Sequence, residues 1–550
     1  MVSLACYSIR GSRVGSIDDL DEFVEEVGRC EISDYSSPRD FEARLYLRPS
    51  YASRPPWADY VRAGFPAANV GPVQGPVALV VVRLLGKSER QVFAFAFGSG
   101  GRHLLKADAY HRGFGLRSAL NLIYQRGNTD GARLRAVDSK RRGPTTTRAR
   151  VQSSDQATFE TFDVNRMRDL LSKAAGTPVN TNEWGRRVTG GDALSITIEV
   201  PFADLGNLCR RLTDVHERDD YQTQFGWIDN VKPIEDPHLI DELRTHVSDM
   251  LSASQTGDLT LAPPEIIDWE TVSAFRYHFD RRSSRNPELG VTRPDLRLVD
   301  YLAGASGSAT LADHTYDRLK SRKVFAVNGD GADIYSWSIW QCLVGEIQLN
   351  GETFILDEGA FYSIQRNYLA ELNAEIAAIP TCTRTLPSSS PTEWEATYNA
   401  RAATQGTDLL LLDRQTVRHS SRTTPIELCD LLSTTRQLIH VKRHLGSSDL
   451  SHLFAQGVVS ASALQESPEF RERARTKVEE LAIANGRPGF EFFDQHFRST
   501  DYEIVYAIAE RWNGRTLADA LPFFSKINLR EAANNLRGRG FNVSLAKIDC

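Results

Sequence analysis

The chain has 550 residues, of which 41% are hydrophobic and 25% charged, with a formal net charge of −6 at pH 7. This excludes wholesale disorder and a globally basic nucleic-acid coat, but it allows a local basic channel. The length exceeds what one hydrophobic core can fill and suggests about three domains.

The seven cysteines are scattered and never spaced Cys-x-x-Cys. That pattern argues against a disulfide framework or structural zinc and fits a reducing cytoplasm. The longest apolar runs, PVALVVVRLLG and LLLL, fall far short of the ~20 residues that span a bilayer. The opening MVSLACYSIRGSRVG has no apolar stretch of signal-peptide length. A cytoplasmic protein with no membrane partner is expected.

In chain order, VALVVVRLL and QVFAFAFG read as paired strands, and FGLRSALNLIYQRG has helical spacing with a glycine stop. Residues 138–157, rich in Thr, Ser and Arg with no hydrophobic period, read as a break and place a first boundary near 155. VNRMRDLLSKAAG reads as a helix, ALSITIEVPF and SRKVFAVN as strands, and NGDGADIY as a hairpin turn. The segment YSWSIWQCLVGEIQLNGETFIL alternates like a strand, and FYSIQRNYLAELNAEIAAI reads as a helix that stops at Pro380.

RTLPSSSPTEW marks a second boundary near 385. The expected layout is therefore an N-terminal α+β domain (1–155), a middle α+β domain (156–385) and a C-terminal domain (386–550). The last of these reads as helix, three short strands, two helices, strand, helix and strand, a mixed sheet flanked by helices.

The chemistry concentrates in that C-terminal part. PIELCDLL and QLIHVKR read as neighbouring strands turned by STTR. Alternation puts His440 and Lys442 on one face. If Asp430 faces them across the hairpin, an acid, an imidazole and an ammonium converge. Such a cluster suits a divalent metal and a phosphodiester.

The next segment, GSSDLSHLFAQG, opens a helix whose N-terminus, with Ser447 and Ser448, suits a phosphate, and Gln456 lies two turns on. Arg443 continues the strand end. Arg141 and Arg142 belong to an earlier cluster with Arg133, Arg135, Lys140, Arg148 and Arg150 that has either a phosphate-binding or a solvated-linker reading. For the HVKR segment, a phosphate-facing edge and a strand end that merely holds cations in water both stay open.

The order αβββα, with an acid on the second strand, "x-V-K" ending the third and a Ser- and Gln-bearing helix next, resembles the core of the PD-(D/E)XK nuclease superfamily over roughly residues 391–510. The resemblance implies a restriction-endonuclease-like fold, Asp430 as a metal-binding acid, Lys442 as the motif lysine and Glu395 as an auxiliary acid. It also implies Mg²⁺ or Mn²⁺ as cofactor. The sequence departs from that pattern at His440, where the superfamily has Asp or Glu.

A second resemblance spans more of the chain. FAFGSGGRHLL with FGLRSALN, IELCDLL with LIHVKRHLGSSDLSHLFAQG, and LPFFSKINLR together look like a sporadically distributed bacterial family found in mobile or defence-associated islands.

Two functions are therefore expected from different classes. One is a metal-dependent nuclease or nucleic-acid-binding protein in a defence or toxin setting, with catalytic candidates Asp430, His440, Lys442 and Glu427 and metal candidates Asp430, Glu427 and Asp413. The other is a non-catalytic, homo-oligomeric scaffold on a degenerate nuclease fold.

Overall fold

The computed structural model describes residues 1–10, 14–37, 40–48, 75–86, 91–98, 100–106, 108–124, 133–142, 145–166, 168–279, 290–305, 314–390, 392–418, 425–443, 447–494 and 496–550; side chains are described for these except at positions 142, 305, 447 and 448. The architecture is mixed α+β with several sheets.

Val- and Phe-rich segments build the first of these, a ten-stranded sheet running from Val2–Ile9 to Leu194–Ile198 with every neighbouring pair antiparallel. As expected, Val77–Leu84 pairs with Val92–Phe97. The helix Phe114–Ile123 lies on this sheet with nearly all its side chains buried. Its close approach depends on two glycines. A Cβ on Gly115 would sit 2.0 Å from the Ala193 carbonyl oxygen, and one on Gly190 would sit 1.9 Å from the Gly115 carbonyl oxygen.

Two segments differ from the sequence reading. The Ser/Thr/Arg-rich break is a hairpin, Leu134–Arg142 with Thr146–Ala157, so the first sheet runs on past position 155. DLLSKAAG, expected in a helix, contributes the strand Leu170–Gly176, which pairs with Leu134–Arg142. In both cases partner strands decide the conformation over a weak local pattern.

The middle of the chain forms a five-stranded and a four-stranded sheet, both antiparallel throughout. NGDGADIY makes the expected turn between Lys323–Val327 and Asp333–Ser338, with Gly331 at φ 78°. The alternating segment 335–356 is broken by a capped helical turn, Ile339–Cys342, before Leu343–Leu349 and Glu352–Asp357 pair. The helix expected from Phe361 begins later, at Arg366–Ala377, after a strand Ala360–Ile364.

The C-terminal region is labelled here in chain order: α1 (Glu395–Gln405), β1 (Leu409–Leu411), β2 (Thr416–Val417), β3 (Ile426–Glu427), β4 (Leu431–Ser433), β5 (Gln437–Arg443), α2 (Ser447–Glu466), α3 (Pro468–Ala484), β6 (Glu503–Glu510), α4 (Phe523–Gly538) and β7 (Asn542–Asp549). The sheet order is β1-β4-β5-β6-β7. β4 is antiparallel to β1 and β5, whereas β6 runs parallel to β5 and to β7.

The alternating side chains of β5 and β6 supply two cores. Leu438, Ile504, Tyr506 and Ile508 pack with α2, α3 and α4, and Ile439, Val441, Val505 and Ala507 pack with Tyr398, Ala402 and Ala403 of α1. Both faces are covered, as parallel strands require. Among the described residues no helix is long and apolar enough to cross a membrane.

Candidate functional site

The site sits at the end of β5. Tight pairing of β4 with β5 is set by Arg436, held at φ 64° in the turn, whose N–H donates to the Ser433 carbonyl. The segment PIELCDLL is not one strand. Ile426–Glu427 pairs with Thr416–Val417 in a separate two-stranded ribbon, and Leu431–Ser433 joins the main sheet.

This break changes the geometry of the acids. Three residues apart on one strand, Glu427 and Asp430 would point to opposite faces. With the chain turning between them, Asp413, Glu427 and Asp430 each bring one carboxylate oxygen to within 4.8 Å of the others. Among the described residues this is the one such group of three or more potential metal-ligating side chains. The Leu412 N–H donates to the Asp430 carbonyl at 2.8 Å, tying the turn that carries Asp413 to the residue before β4.

Asp430 is half-buried, and its Oδ2 accepts the Val441 N–H at 2.7 Å. Burial pushes its carboxyl up to about 7, against the pull of the Val441 N–H and with help from repulsion by Glu427, Asp413 and Glu395. Glu427 accepts the Arg414 N–H on Oε1 and the Gln456 amide on Oε2, the latter at 3.4 Å. Gln456 thus reaches the cluster from α2.

Lys442 donates to Glu395 Oε2 at 2.9 Å, and the Arg443 N–H donates to Glu395 Oε1 at 3.2 Å. The first residue of α1 therefore clamps the end of β5. The Arg443 guanidinium bonds the Glu393 carbonyl at 2.8 Å and the Ser390 carbonyl at 3.3 Å.

His440 stands outside the acid group. Its ring is 2% exposed, 6.1 Å from that of Tyr506, and Nε2 has no hydrogen-bond partner among the described residues. Burial drives its pKa down to about 4, so the imidazole is neutral. The expected convergence of acid, imidazole and ammonium is thus corrected: three carboxylates gather with one another, Lys442 pairs with Glu395 instead, and the imidazole is withdrawn into the core beside Tyr506.

Of the remaining candidates, the side chains of Ser447, Ser448 and Arg142 lie outside the described residues. Arg141 is far from the acid group in the chain and donates to buried Asp169 at 3.0 Å. Three other cations of its cluster are also paired. Lys140 contacts Asp357 and Glu358 at 2.8 and 2.6 Å, Arg148 contacts Glu358 at 2.5 Å, and Arg150 contacts Asp138 at 2.7 Å. These cations sit on strands rather than in a linker; Lys140 and Arg148 tie the first sheet to Asp357 and Glu358 in the middle of the chain, and Arg150 pairs within its own hairpin.

LPFFSKINLR starts α4, and Phe523 and Phe524 are buried. Their N–H groups both donate at 2.7 Å to the buried carboxylate of Glu346. Sequence reasoning missed Trp394. The signal was available, since a tryptophan directly precedes the helix where a capping Ser, Thr or Asp is usual.

A family model described as "Family of unknown function (DUF6119)" matches residues 15–549. No curated protein and no solved structure matches the chain.

Proposed function

The chain belongs to this family of unknown function, and we propose that it is a metal-dependent phosphodiesterase acting on nucleic acid, with its site at Asp413, Glu427, Asp430 and Lys442. The observation that carries the reading is the gathering of three carboxylates, one of which, Asp430, accepts the N–H of Val441, the residue before a lysine clamped to the helix that opens the domain. The order α1, β1, β4, β5, α2, with β6 parallel to β5, supports the nuclease-like resemblance of this region.

Three carboxylates form a hard donor set that fits Mg²⁺ or Mn²⁺ better than a softer ion. Burial is the main cause of the raised pKa of Asp430, and repulsion by Glu427 and Asp413 adds to it; a divalent cation would relieve that repulsion. Asp413, Glu427 and Asp430 would hold the ion, which when bound would polarise the scissile phosphate and acidify a water. Lys442, fixed by Glu395, supplies positive charge where the leaving oxygen becomes negative. Gln456, already within reach of Glu427, orients a water or a ligand oxygen. The bacterial defence or toxin setting and the cytoplasmic location rest on the resemblance of the landmark segments and on the cysteines, which are all free.

The test is cleavage of plasmid DNA and of RNA in Mg²⁺ and in Mn²⁺ by the wild type, Lys442→Ala and Asp430→Asn. Each variant should lose roughly a hundredfold or more. Undiminished cutting by Lys442→Ala would remove that residue from the mechanism.

One observation favours a second reading, a non-catalytic scaffold that assembles with copies of itself. The position where the superfamily carries an acid holds a neutral, buried His440. Calorimetry that finds no metal uptake, together with nucleic-acid binding that weakens steeply with salt, would select it.

A further inference from the structure

Trp394 is 83% exposed, the most exposed aromatic side chain among the described residues. It is also the residue before Glu395, the partner of Lys442. A single exposed apolar side chain needs no explanation on most surfaces. Three features set this one apart.

First, helix capping does not account for it. Trp394 occupies the N-cap position of α1 and makes no side-chain capping bond, although Ser, Thr, Asp or Asn there would stabilise the helix.

Second, the segment presenting it is held from both sides. Arg401 grips the Glu393 carboxylate through two bonds of 2.8 and 2.7 Å, and Ser389 donates to the same group at 3.0 Å. Arg443 holds the Glu393 carbonyl at 2.8 Å. On the other side the Trp394 carbonyl accepts the Tyr398 N–H at 2.9 Å, and Glu395 is fixed by Lys442 and by the Arg443 N–H. The indole is therefore displayed on a stiff support.

Third, its ring makes no aromatic or cation–π contact among the described residues. Trp269, the next most exposed tryptophan, packs edge-on to Phe275. Arg401, the nearest cation in sequence, lies over Tyr398 instead.

We infer that Trp394 is a stacking platform for an unpaired nucleobase next to the phosphate engaged at Lys442, so that the substrate is single-stranded or locally opened nucleic acid. This rests on the phosphodiesterase reading above. A rigid, exposed indole one residue from the carboxylate that holds Lys442 offers an aromatic face near the lysine assigned to the phosphate, and stacking of bases on aromatic faces is part of how single strands are held. Bases inside an intact duplex keep their faces covered by neighbours and give such a ring nothing to stack on. Every base has a π-face, so DNA and RNA strands share this chemistry.

The experiment uses the full chain with Asp430→Asn to stop chemistry. The protein is titrated, in Ca²⁺, into a fluorescein-labelled oligothymidylate, an oligouridylate and a blunt duplex of the same length. Adding Trp394→Ala should weaken single-strand binding by about five- to hundredfold, the worth of one stacked base. Trp394→Phe should restore most of it, and duplex binding and the melting temperature should stay unchanged. The difference between the two single-strand arms identifies the sugar preferred.

Equal single-strand affinities for Trp394→Ala and its parent, or an equal loss on the duplex, would overturn the inference. If cleavage by the otherwise wild-type protein still depends on Lys442 in that case, the phosphodiesterase reading stands alone. If the wild type neither binds nor cuts any strand, both fall.

Discussion

The burial of His440 makes a quantitative claim that pH can test. The ring is 2% exposed and Nε2 has no partner among the described residues, so protonation would place an uncompensated charge in the core. Its pKa falls from 6.5 to about 4, with burial as the cause. Because the folded value lies below the unfolded one, the unfolded chain binds more protons between those limits. The stability contribution is complete above about pH 6.5 and is lost as pH falls through about 4. A gap of about 2.5 units is worth about 3 kcal/mol.

Chemical denaturation of the wild type and of His440→Leu across that pH range isolates the term, since other titrating groups are common to both proteins. The substitution shifts the curve by some constant amount. The wild type should lose about 3 kcal/mol more than the variant between pH 7 and pH 4. Parallel curves would refute the burial argument. So would an imidazole titrating near 6.5 by NMR, which would place His440 in water beside the carboxylates.

Three further outcomes are expected. Mg²⁺ or Mn²⁺ should raise the melting temperature of the wild type, with ~2.7 kcal/mol of stabilisation at a hundred times Kd, and Asp430→Asn should abolish the response in a thermal-shift series. Gly457→Ala should destabilise by about 1–3 kcal/mol, because the added Cβ would meet the Tyr506 Oη and two ring carbons at 2.5, 2.7 and 2.8 Å. That ring is buried and anchored to the Phe454 carbonyl, so it has nowhere to move, and guanidinium unfolding would read the loss. Glu346→Ala should cost about 2–4 kcal/mol in the same measurement, because it strips a buried carboxylate from two helix-start N–H groups.

The C-terminal elements were the most legible part of the sequence. β5, β6, β7, α2, α3 and α4 carry unbroken apolar runs or clear helical spacing, and they fall where the sequence places them. DLLSKAAG failed for the opposite reason. Its spacing suits a helix as well as a strand, and only pairing with Leu134–Arg142 decides between them. The cationic hairpin was unreadable because its partners, Asp357 and Glu358, lie some two hundred residues away. Within the candidate site, strand order singles out Asp430 and Lys442 and the resemblance singles out Glu395; the Lys442–Glu395 pair and the Asp430 bond to the Val441 N–H are what the structure adds. The retreat of His440 was not legible, because alternation assigns a face without saying whether that face is open to water or roofed by a helix.

The break between β3 and β4 explains why three acids can meet where a continuous strand would keep them apart. Leu428 and Cys429 are buried there, so apolar anchoring holds the kink while the carboxylates on either side of it turn together. The cost of that convergence appears in the raised pKa of Asp430, which is pushed up by burial and by the carboxylates around it. A fold that tolerates such repulsion gains nothing from it in the absence of a cation, since replacing one acid by its amide would relieve the strain. Lys442 on β5 does not relieve it either, because it is paired with Glu395 of α1. The arrangement therefore gathers an acidic set at the break and pairs Lys442, near the end of β5, separately with Glu395.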